Sequence, residues 1–354
     1  MHNRNVKSLH DGLFQLIVTP KQSTNEDFTH LLGELTQALK DVPEAISLSD
    51  ILNTPNASGD TLLCLVAFQG NEKLLRCLLE QKADPNIQNS KGNTPLMFAA
   101  TGGHAACIRT LLEAHANVNL INQKQNTALI HAMASDSKEC VNYLIEAGAD
   151  VNHQNEQGNT PLIYAAIEDK VDFIQQLIAA EATLDLTNIE GDTAIMRACF
   201  NGKKQATAAL IECKADLDIA NKEGKTALIL AAYQAHTDCL ELLKTKAKLD
   251  HQDGLGNTAL MYAAWNGHEE TSQLLLDAGA NRYYLNLEGK SALDLARYSN
   301  NPNVIATLSN QQPAANVPRA RESRFFSSRI SERDRYNANT QSTTHHESRP
   351  GMNL

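Results

Sequence analysis

Long apolar runs are missing from this sequence of 354 residues. No stretch approaches the roughly 18 consecutive apolar residues that a membrane-spanning helix needs. The apolar run at residues 13–18 is too short for a signal-peptide core, and no small-residue cleavage site follows it. We therefore expect a chain that is not inserted in a membrane.

Paired cysteine motifs are also missing. The chain has seven cysteines, an odd number, and no two of them form a CxxC pair. Such cysteines are typical of free thiols in a reducing compartment. We expect a cytoplasmic protein, with secretion into the cytosol of a host cell as the alternative.

Aromatic residues and net positive charge are scarce. Aromatics make up 5% of the chain, so an extensive core has to be aliphatic and rich in alanine. The formal net charge is −10, which argues against non-specific binding of nucleic acid or of an anionic membrane by the whole molecule. The charge favours basic or apolar partners.

Catalytic signatures are absent as well. The sequence contains no P-loop, no dinucleotide-binding fingerprint, no HExxH motif and no GxSxG elbow. Cys107, Cys140 and Cys239 share one position of a repeat, but neighbouring repeats lie ~8–10 Å apart, which exceeds the ~7 Å limit for a disulfide. We expect no enzyme activity, no cofactor and no metal site.

A repeat of about 33 residues is present. Similar five-residue strings, such as GNTPL, GDTAI and GKTAL, recur eight times and are separated by 33 residues, or once by 32. We number the units one to eight by the hydroxyl residue of each string: Thr61, Thr94, Thr127, Thr160, Thr193, Thr226, Thr258 and Ser291. A near-constant period over eight registers indicates stacked copies of one structural unit.

Local chemistry predicts the form of each unit. A glycine two positions before most of the hydroxyls suits a left-handed turn, and the hydroxyl suits a helix N-cap. Pro95 and Pro161 follow at the first helical position, where proline is tolerated. Pairs of alanines continue this first helix, and pairs of leucines or isoleucines mark a second helix. One helix pair cannot bury its own apolar face, so the pairs must stack.

The stretches GNTPLMFAATGGH from Gly92 and LIEAGADVNHQNEQGNTPLIYAA from Leu144 resemble ankyrin repeats. The resemblance implies an all-α ankyrin-repeat solenoid of about eight helix-turn-helix units at residues 54–309. We expect a helical N-terminal cap at residues 1–53 and a disordered, Arg- and Ser-rich C-terminal tail at residues 310–354. The family implies a protein-binding scaffold whose concave face is made by turn tips and first helices.

Several units depart from the pattern. Gln125 replaces the turn glycine of the third unit, so we expect an altered turn there. His131 and Arg197 stand where other units have apolar or aromatic residues; we interpret them as polar side chains at the helix edge, with a functional role as the alternative. The sixth unit is one residue short, and its leucine pair comes one residue early, so we expect its second helix to shift register or distort.

The resemblance places the ligand-facing residues at the turn tips and at the ends of the first helices. The last four units carry an aromatic residue seven positions after the hydroxyl, and units four and five carry acidic residues near the tips. We predict partner-binding roles for Phe200, Tyr233, Trp265, Tyr298, Glu156, Glu168, Glu190 and Asp192. The alternatives are rings packed against neighbouring loops and a solvated acidic face.

The function expected from the resemblance is that of a monomeric adaptor for another protein. The partner segment should be extended or polyproline-like, with apolar anchors about every third residue and basic residues at one end. A secreted bacterial effector that binds a host protein and an inhibitory subunit of a partner enzyme are the alternatives. The tail carries seven arginines and four acidic residues, a charge of +3, so it could also fold back on the array.

Overall fold

The computed structural model describes residues 8, 10–15, 25–40 and 47–309; the predicted disordered tail lies outside them. Within these ranges all the regular secondary structure is helical. The helices are α1 (Asn25–Lys40), α2 (Leu48–Leu52), α3 (Leu62–Gln69), α4 (Glu72–Glu80), α5 (Pro95–Thr101), α6 (Ala105–Glu113), α7 (Ala128–Ala132), α8 (Lys138–Glu146), α9 (Pro161–Ile167), α10 (Val171–Ala179), α11 (Ala194–Phe200), α12 (Lys204–Glu212), α13 (Ala227–Tyr233), α14 (Thr237–Leu243), α15 (Ala259–Asn266), α16 (Glu269–Asp277), α17 (Ala292–Tyr298) and α18 (Pro302–Ser309). The predicted pair of helices per unit is confirmed from α3 to α18.

Each unit begins with a capped first helix, as the sequence predicts. In the fourth unit the Thr160 hydroxyl accepts a hydrogen bond of 3.2 Å from the Ile163 backbone N–H, and Pro161 occupies the first turn. The corresponding bond forms at the other seven hydroxyls. Each bond satisfies one of the backbone donors that a helix N-terminus leaves open.

The units stack through their helices. Each first helix packs against the first helix of the next unit and against its own second helix, and the second helices form a parallel row. Side chains between the rows are almost fully buried, among them Leu162, Ile195 and Leu228. Within the described ranges no helix is long and apolar enough to cross a membrane.

The turn tips are joined by backbone hydrogen bonds. The Ile189 N–H donates to the Gln157 carbonyl at 3.0 Å, and the Leu287 N–H donates to the Leu255 carbonyl at 3.0 Å. The expectation of an altered turn at Gln125 is wrong. Gln125 adopts φ of 57°, and the tips on both sides of it keep their hydrogen bonds. The third unit therefore holds a non-glycine residue in the left-handed conformation of its neighbours.

The sixth unit absorbs its missing residue in the turn after α14. Cys239, Leu240 and Leu243 are buried, as are Cys107, Ile108 and Leu111 at the same three positions of the second unit. The expected shift of register is therefore wrong. Instead, α14 ends at Leu243 after seven residues, where α6 and α12 have nine. An open cleft of about 700 Å³, lined by Lys244, Ala247, Leu249 and Ala278, lies beside the shortened end.

Candidate partner-binding surface

The turn tips and the ends of the first helices form one continuous face, which we call the tip face. In the sixth unit the Lys225 Nζ atom, one residue before the capping Thr226, lies 5.4 Å from the centre of the Tyr233 ring. In the eighth unit the Lys290 Nζ atom lies 4.7 Å from the centre of the Tyr298 ring. The contacts cross from tip to helix end, so a ligand on this face would touch both.

The four predicted aromatic residues of the tip face differ in exposure. Phe200 is only 6% exposed, whereas Tyr298 is 68% exposed. Tyr233 and Trp265 are partly buried: the Tyr233 ring lies 5.5 Å from the ring of Tyr262, and the Trp265 ring lies 6.3 Å from that of Tyr298. The expected aromatic strip is therefore most open at the eighth unit, because rings of the following units contact Tyr233 and Trp265, whereas Tyr298 is largely exposed.

The predicted acidic residues also separate into two groups. Glu156, Glu168 and Glu190 are exposed. Asp192 is 0% exposed, so the expectation of an acidic side chain at the surface is wrong for this residue. Three exposed carboxylates therefore lie over the fourth and fifth units.

Asp192 is buried because it pairs with Arg197. The Arg197 Nη1 atom lies 3.5 Å from Asp192 Oδ2, and the Asn221 side-chain amide donates to Asp192 Oδ1 at 2.8 Å. The Arg197 guanidinium also lies 5.4 Å from the centre of the Phe200 ring. The interpretation of Arg197 as a side chain at an exposed helix edge is therefore wrong. It is 7% exposed and holds the fifth tip to its first helix.

A row of side-chain amides beneath the tips was not predicted. Six units have an asparagine five residues before the capping hydroxyl. Its Nδ2 atom donates a hydrogen bond of 2.7–3.1 Å to the preceding unit, where the acceptor is the side-chain oxygen of the residue just before the capping hydroxyl. The donors are Asn89, Asn122, Asn155, Asn188, Asn221 and Asn286. Their recurrence in the sequence was a signal for this row, which fixes the spacing of the tips.

The seventh unit replaces the asparagine of this row with Asp253, which cannot donate from its side chain. Asp253 Oδ2 instead accepts a hydrogen bond of 2.5 Å from the Tyr262 hydroxyl. Lys225, at the position that accepts in the other units, is 5% exposed, and its Nζ atom lies 2.7 Å from Glu223 Oε2 and 5.1 Å from the centre of the Tyr262 ring. At this junction the position that donates in the other units therefore holds an acceptor, Asp253, and the position that accepts holds a donor, Lys225.

Exposed aliphatic residues at the tips were also not predicted. Ile189 is 51% exposed, Leu255 is 47% exposed and Leu287 is 73% exposed. Their signal in the sequence was an apolar residue in a turn that is otherwise polar. Leu255 and Leu287 lie on neighbouring tips, so they extend the apolar end of the tip face beyond Trp265 and Tyr298.

The described part of the chain has no cluster of metal-binding side chains, and two of its buried thiols have raised pKa values. No group of three or more His, Cys, Asp or Glu residues is placed to hold a metal ion within the described part of the chain. Burial raises the pKa of the Cys64 thiol to about 11, and it raises the pKa of the Cys107 thiol to about 11. Both thiols therefore stay protonated near neutral pH, which is the opposite of an activated nucleophile.

Comparison with known proteins gives one family. A family model described as "Ankyrin repeats (3 copies)" matches the overlapping segments 34–122, 62–155, 106–188, 162–253 and 243–319. These segments together span most of the chain. A search among curated proteins gives no match.

Proposed function

Because this chain belongs to the ankyrin-repeat family, we propose that it is a scaffold that binds an extended segment of another protein on its tip face. Ankyrin repeats are generally protein–protein interaction modules. The observation that carries the proposal is the uneven chemistry of this face: exposed carboxylates lie over units four and five, and exposed apolar side chains lie over units seven and eight.

The apolar end supplies the anchor of the proposed interface. Tyrosine and tryptophan dominate binding hot spots because a rigid ring buries a large area at a low cost in conformational entropy. Trp265 and Tyr298 lie edge to face with 6.3 Å between their ring centres, and Leu255 and Leu287 lie on the adjoining tips. An apolar side chain of a partner would contact several of these groups at once.

The spacing of the rings favours an extended ligand. Alternate residues of an extended chain lie about 6.6 Å apart on the same side. The ring centres of Trp265 and Tyr298 lie 6.3 Å apart, which is close to this distance and shorter than the ~8–10 Å expected between neighbouring helices. We therefore revise the anchor spacing from every third residue to every second residue at this end, with basic residues placed over Glu156, Glu168 and Glu190.

The test is selection of peptides from a random library on the full chain, followed by affinity measurements with variants. We expect extended sequences with an apolar end and a basic end. Trp265→Ala should weaken their binding by about 2 kcal/mol, as truncation of a hot-spot residue does. Amphipathic acidic helices as the selected class would contradict the proposal.

Charge reversal has a matched control on the second helices. Glu156→Lys, Glu168→Lys and Glu190→Lys together should weaken the selected peptides, with a larger loss at low salt because the exposed charges are screened at high salt. Glu139→Lys, Glu146→Lys and Glu212→Lys change the net charge by the same amount at exposed positions of α8 and α12. Equal losses in the two triple variants would show that only net charge matters.

Two narrower roles would use the same surface. A secreted effector would bind a host protein, and a translocation reporter fused to the chain tests that role. An inhibitory subunit would bind an enzyme, and an activity that appears when the chain is removed from its complex tests that one. The proposed cytoplasmic location is tested by fractionation of the cells that produce the protein.

A further inference from the structure

The eighth unit has the most exposed apolar surface of the tip face. Leu287 and Tyr298 have the largest exposed fractions among the large hydrophobic residues described, at 73% and 68%. Trp265, at the position of Tyr298 in the preceding unit, is covered by the Tyr298 ring, and the Leu255 carbonyl accepts the Leu287 N–H. Within the described residues no ninth unit follows to cover Leu287 and Tyr298 in the same way.

The chain leaves α18 next to this open surface. The Arg282 guanidinium donates a hydrogen bond of 2.7 Å to the Leu308 carbonyl, so the end of α18 lies against the loop that leads to the eighth tip. This loop leaves the seventh unit at Asp277, the end of α16, and reaches Leu287 at the eighth tip ten residues later. Ten residues after Ser309 the sequence is at Arg319. Residues 310–319 are therefore long enough to bring the chain level with the tips.

The sequence after residue 318 combines apolar rings with positive charge, which complements this end of the tip face. Residues 319–330 read RARESRFFSSRI, with two adjacent phenylalanines between arginines. Phe325 and Phe326 supply apolar area for Leu287 and Tyr298. The arginines can share the half-exposed carboxylates of Glu223 and Glu288, which already lie 2.7 Å from Lys225 Nζ and 3.0 Å from Lys290 Nζ. Residues 310–354 carry a charge of +3, which leaves −13 on residues 1–309 of the total of −10.

We propose that residues 319–330 dock on the tip face of the eighth unit of the same molecule, with Phe325 and Phe326 covering Leu287 and Tyr298. A segment tethered by the nine residues 310–318 has an effective concentration near the millimolar range, so weak contacts suffice for intramolecular binding. A second copy of the chain would have to compete with this local concentration. The docking itself needs no external partner, so it stands or falls independently of the proposed scaffold function.

Docking at this place has a consequence for partner binding, which rests on the proposed function. Tyr298 and Leu287 belong to the apolar end that would anchor a partner segment. A docked tail therefore competes with the partner, and the free protein is held in a form of lower affinity. Removing the two phenylalanines should tighten binding of a selected peptide several-fold, while the repeats themselves are unchanged.

The first experiment uses the only tryptophan of the chain as a reporter. Trp265 contacts Tyr298, so a docked tail should shield it from acrylamide. In the full chain, Phe325→Ser with Phe326→Ser should raise the quenching constant of Trp265, and so should Leu287→Ser at the surface. Tyr336→Ser, in the tail but outside the segment, and Ile189→Ser, at an exposed tip three units away, are the matched controls and should leave quenching unchanged.

The second experiment identifies the occupant directly. A photo-crosslinking phenylalanine analogue at position 326 of the full chain should form crosslinks within one molecule to residues 284–298, at a yield that does not depend on protein concentration. Crosslinks between two molecules whose yield rises with concentration would assign the surface to a second copy and overturn the proposal. So would crosslinks that map elsewhere on the array, or unchanged Trp265 quenching in the double phenylalanine variant.

Discussion

Arg197 and Asp192 form a buried ion pair with 3.5 Å between Nη1 and Oδ2, five residues apart on either side of the Thr193 cap. Removing one partner of such a pair leaves an unpaired charge in the interior, which costs about 3–5 kcal/mol. Arg197→Ala and Asp192→Ala should each lower the free energy of unfolding by about this amount, measured by urea denaturation.

The matched double variant separates charge from packing. Asp192→Asn with Arg197→Tyr gives the fifth unit the residues of the fourth. There Asn159 precedes the cap, and the Tyr164 hydroxyl accepts a hydrogen bond of 2.9 Å from Asn155. The free energy of unfolding of the double variant should lie within about 1.5 kcal/mol of wild type, as for substitutions that preserve volume and polar pairing. A double variant as unstable as the single ones would show that the ion pair itself is required.

Phe200 and Tyr298 occupy the same position of their units but should respond oppositely to truncation. Phe200→Ala removes a buried ring and should cost about 3–5 kcal/mol of unfolding free energy. Tyr298→Ala removes a ring that is 68% exposed and should change stability by no more than about 0.5 kcal/mol, while weakening peptide binding. Thermal unfolding and peptide titration on the two variants measure both effects.

Gln125 should be improved by glycine. Its φ of 57° is unfavourable for a residue with a Cβ atom, and Gln125→Gly should stabilise the fold by about 0.5–1 kcal/mol after the entropy gained by the unfolded chain is deducted. The reverse change in the next unit is the control. Gly158→Gln introduces a Cβ atom 2.8 Å from the Ile189 nitrogen and should destabilise. Urea midpoints that move the same way in both variants would contradict this account of the turns.

His236 should make the fold sensitive to acid. Burial lowers the pKa of its imidazole, whose Nε2 atom donates to the Phe200 carbonyl over 3.0 Å. The unfolded chain therefore takes up a proton near pH 6.5, before the folded chain does, and stability falls as the pH drops through that value and then levels off below the folded pKa.

The control for His236 is provided by the eighth unit. There Asn301 takes the place of the histidine and donates from Nδ2 to the Trp265 carbonyl at 2.8 Å. His236→Asn should keep an equivalent bond and lose the titration. Urea unfolding of wild type and variant between pH 5 and pH 8 should therefore give curves that converge at high pH and separate on acidification. A constant difference across this range would rule out the linkage.

The turn after α14 should open more readily than its counterpart one unit earlier. Seven helical residues instead of nine leave fewer backbone hydrogen bonds, and an open cleft adjoins Lys244 and Ala278. Amide exchange at residues 244–249 should be faster than at residues 213–218, because local opening costs least where few contacts hold the backbone. Mass-spectrometric exchange of the intact chain measures both segments together, and equal rates would refute the prediction.

The sequence by itself determined the unit and its repetition. The recurring turn glycines, capping hydroxyls and alanine pairs act within a few residues, so their effects could be derived from local chemistry. This is why the first helices begin where the sequence predicted, and why Thr160 and its counterparts cap them. The family, and with it the stacked helical architecture, followed from the same strings.

Only the tertiary structure decided which residues, among those at the same position of different units, are exposed at the surface. Burial depends on the unit that follows: Trp265 is covered by Tyr298, and Tyr298 has no described successor. The Asp192–Arg197 pair lies within the fifth unit, but the sixth unit completes its surroundings, because Asn221 donates to Asp192 Oδ1. Local sequence sets the shape of a unit, whereas the exposure of its side chains is a property of the contacts between units.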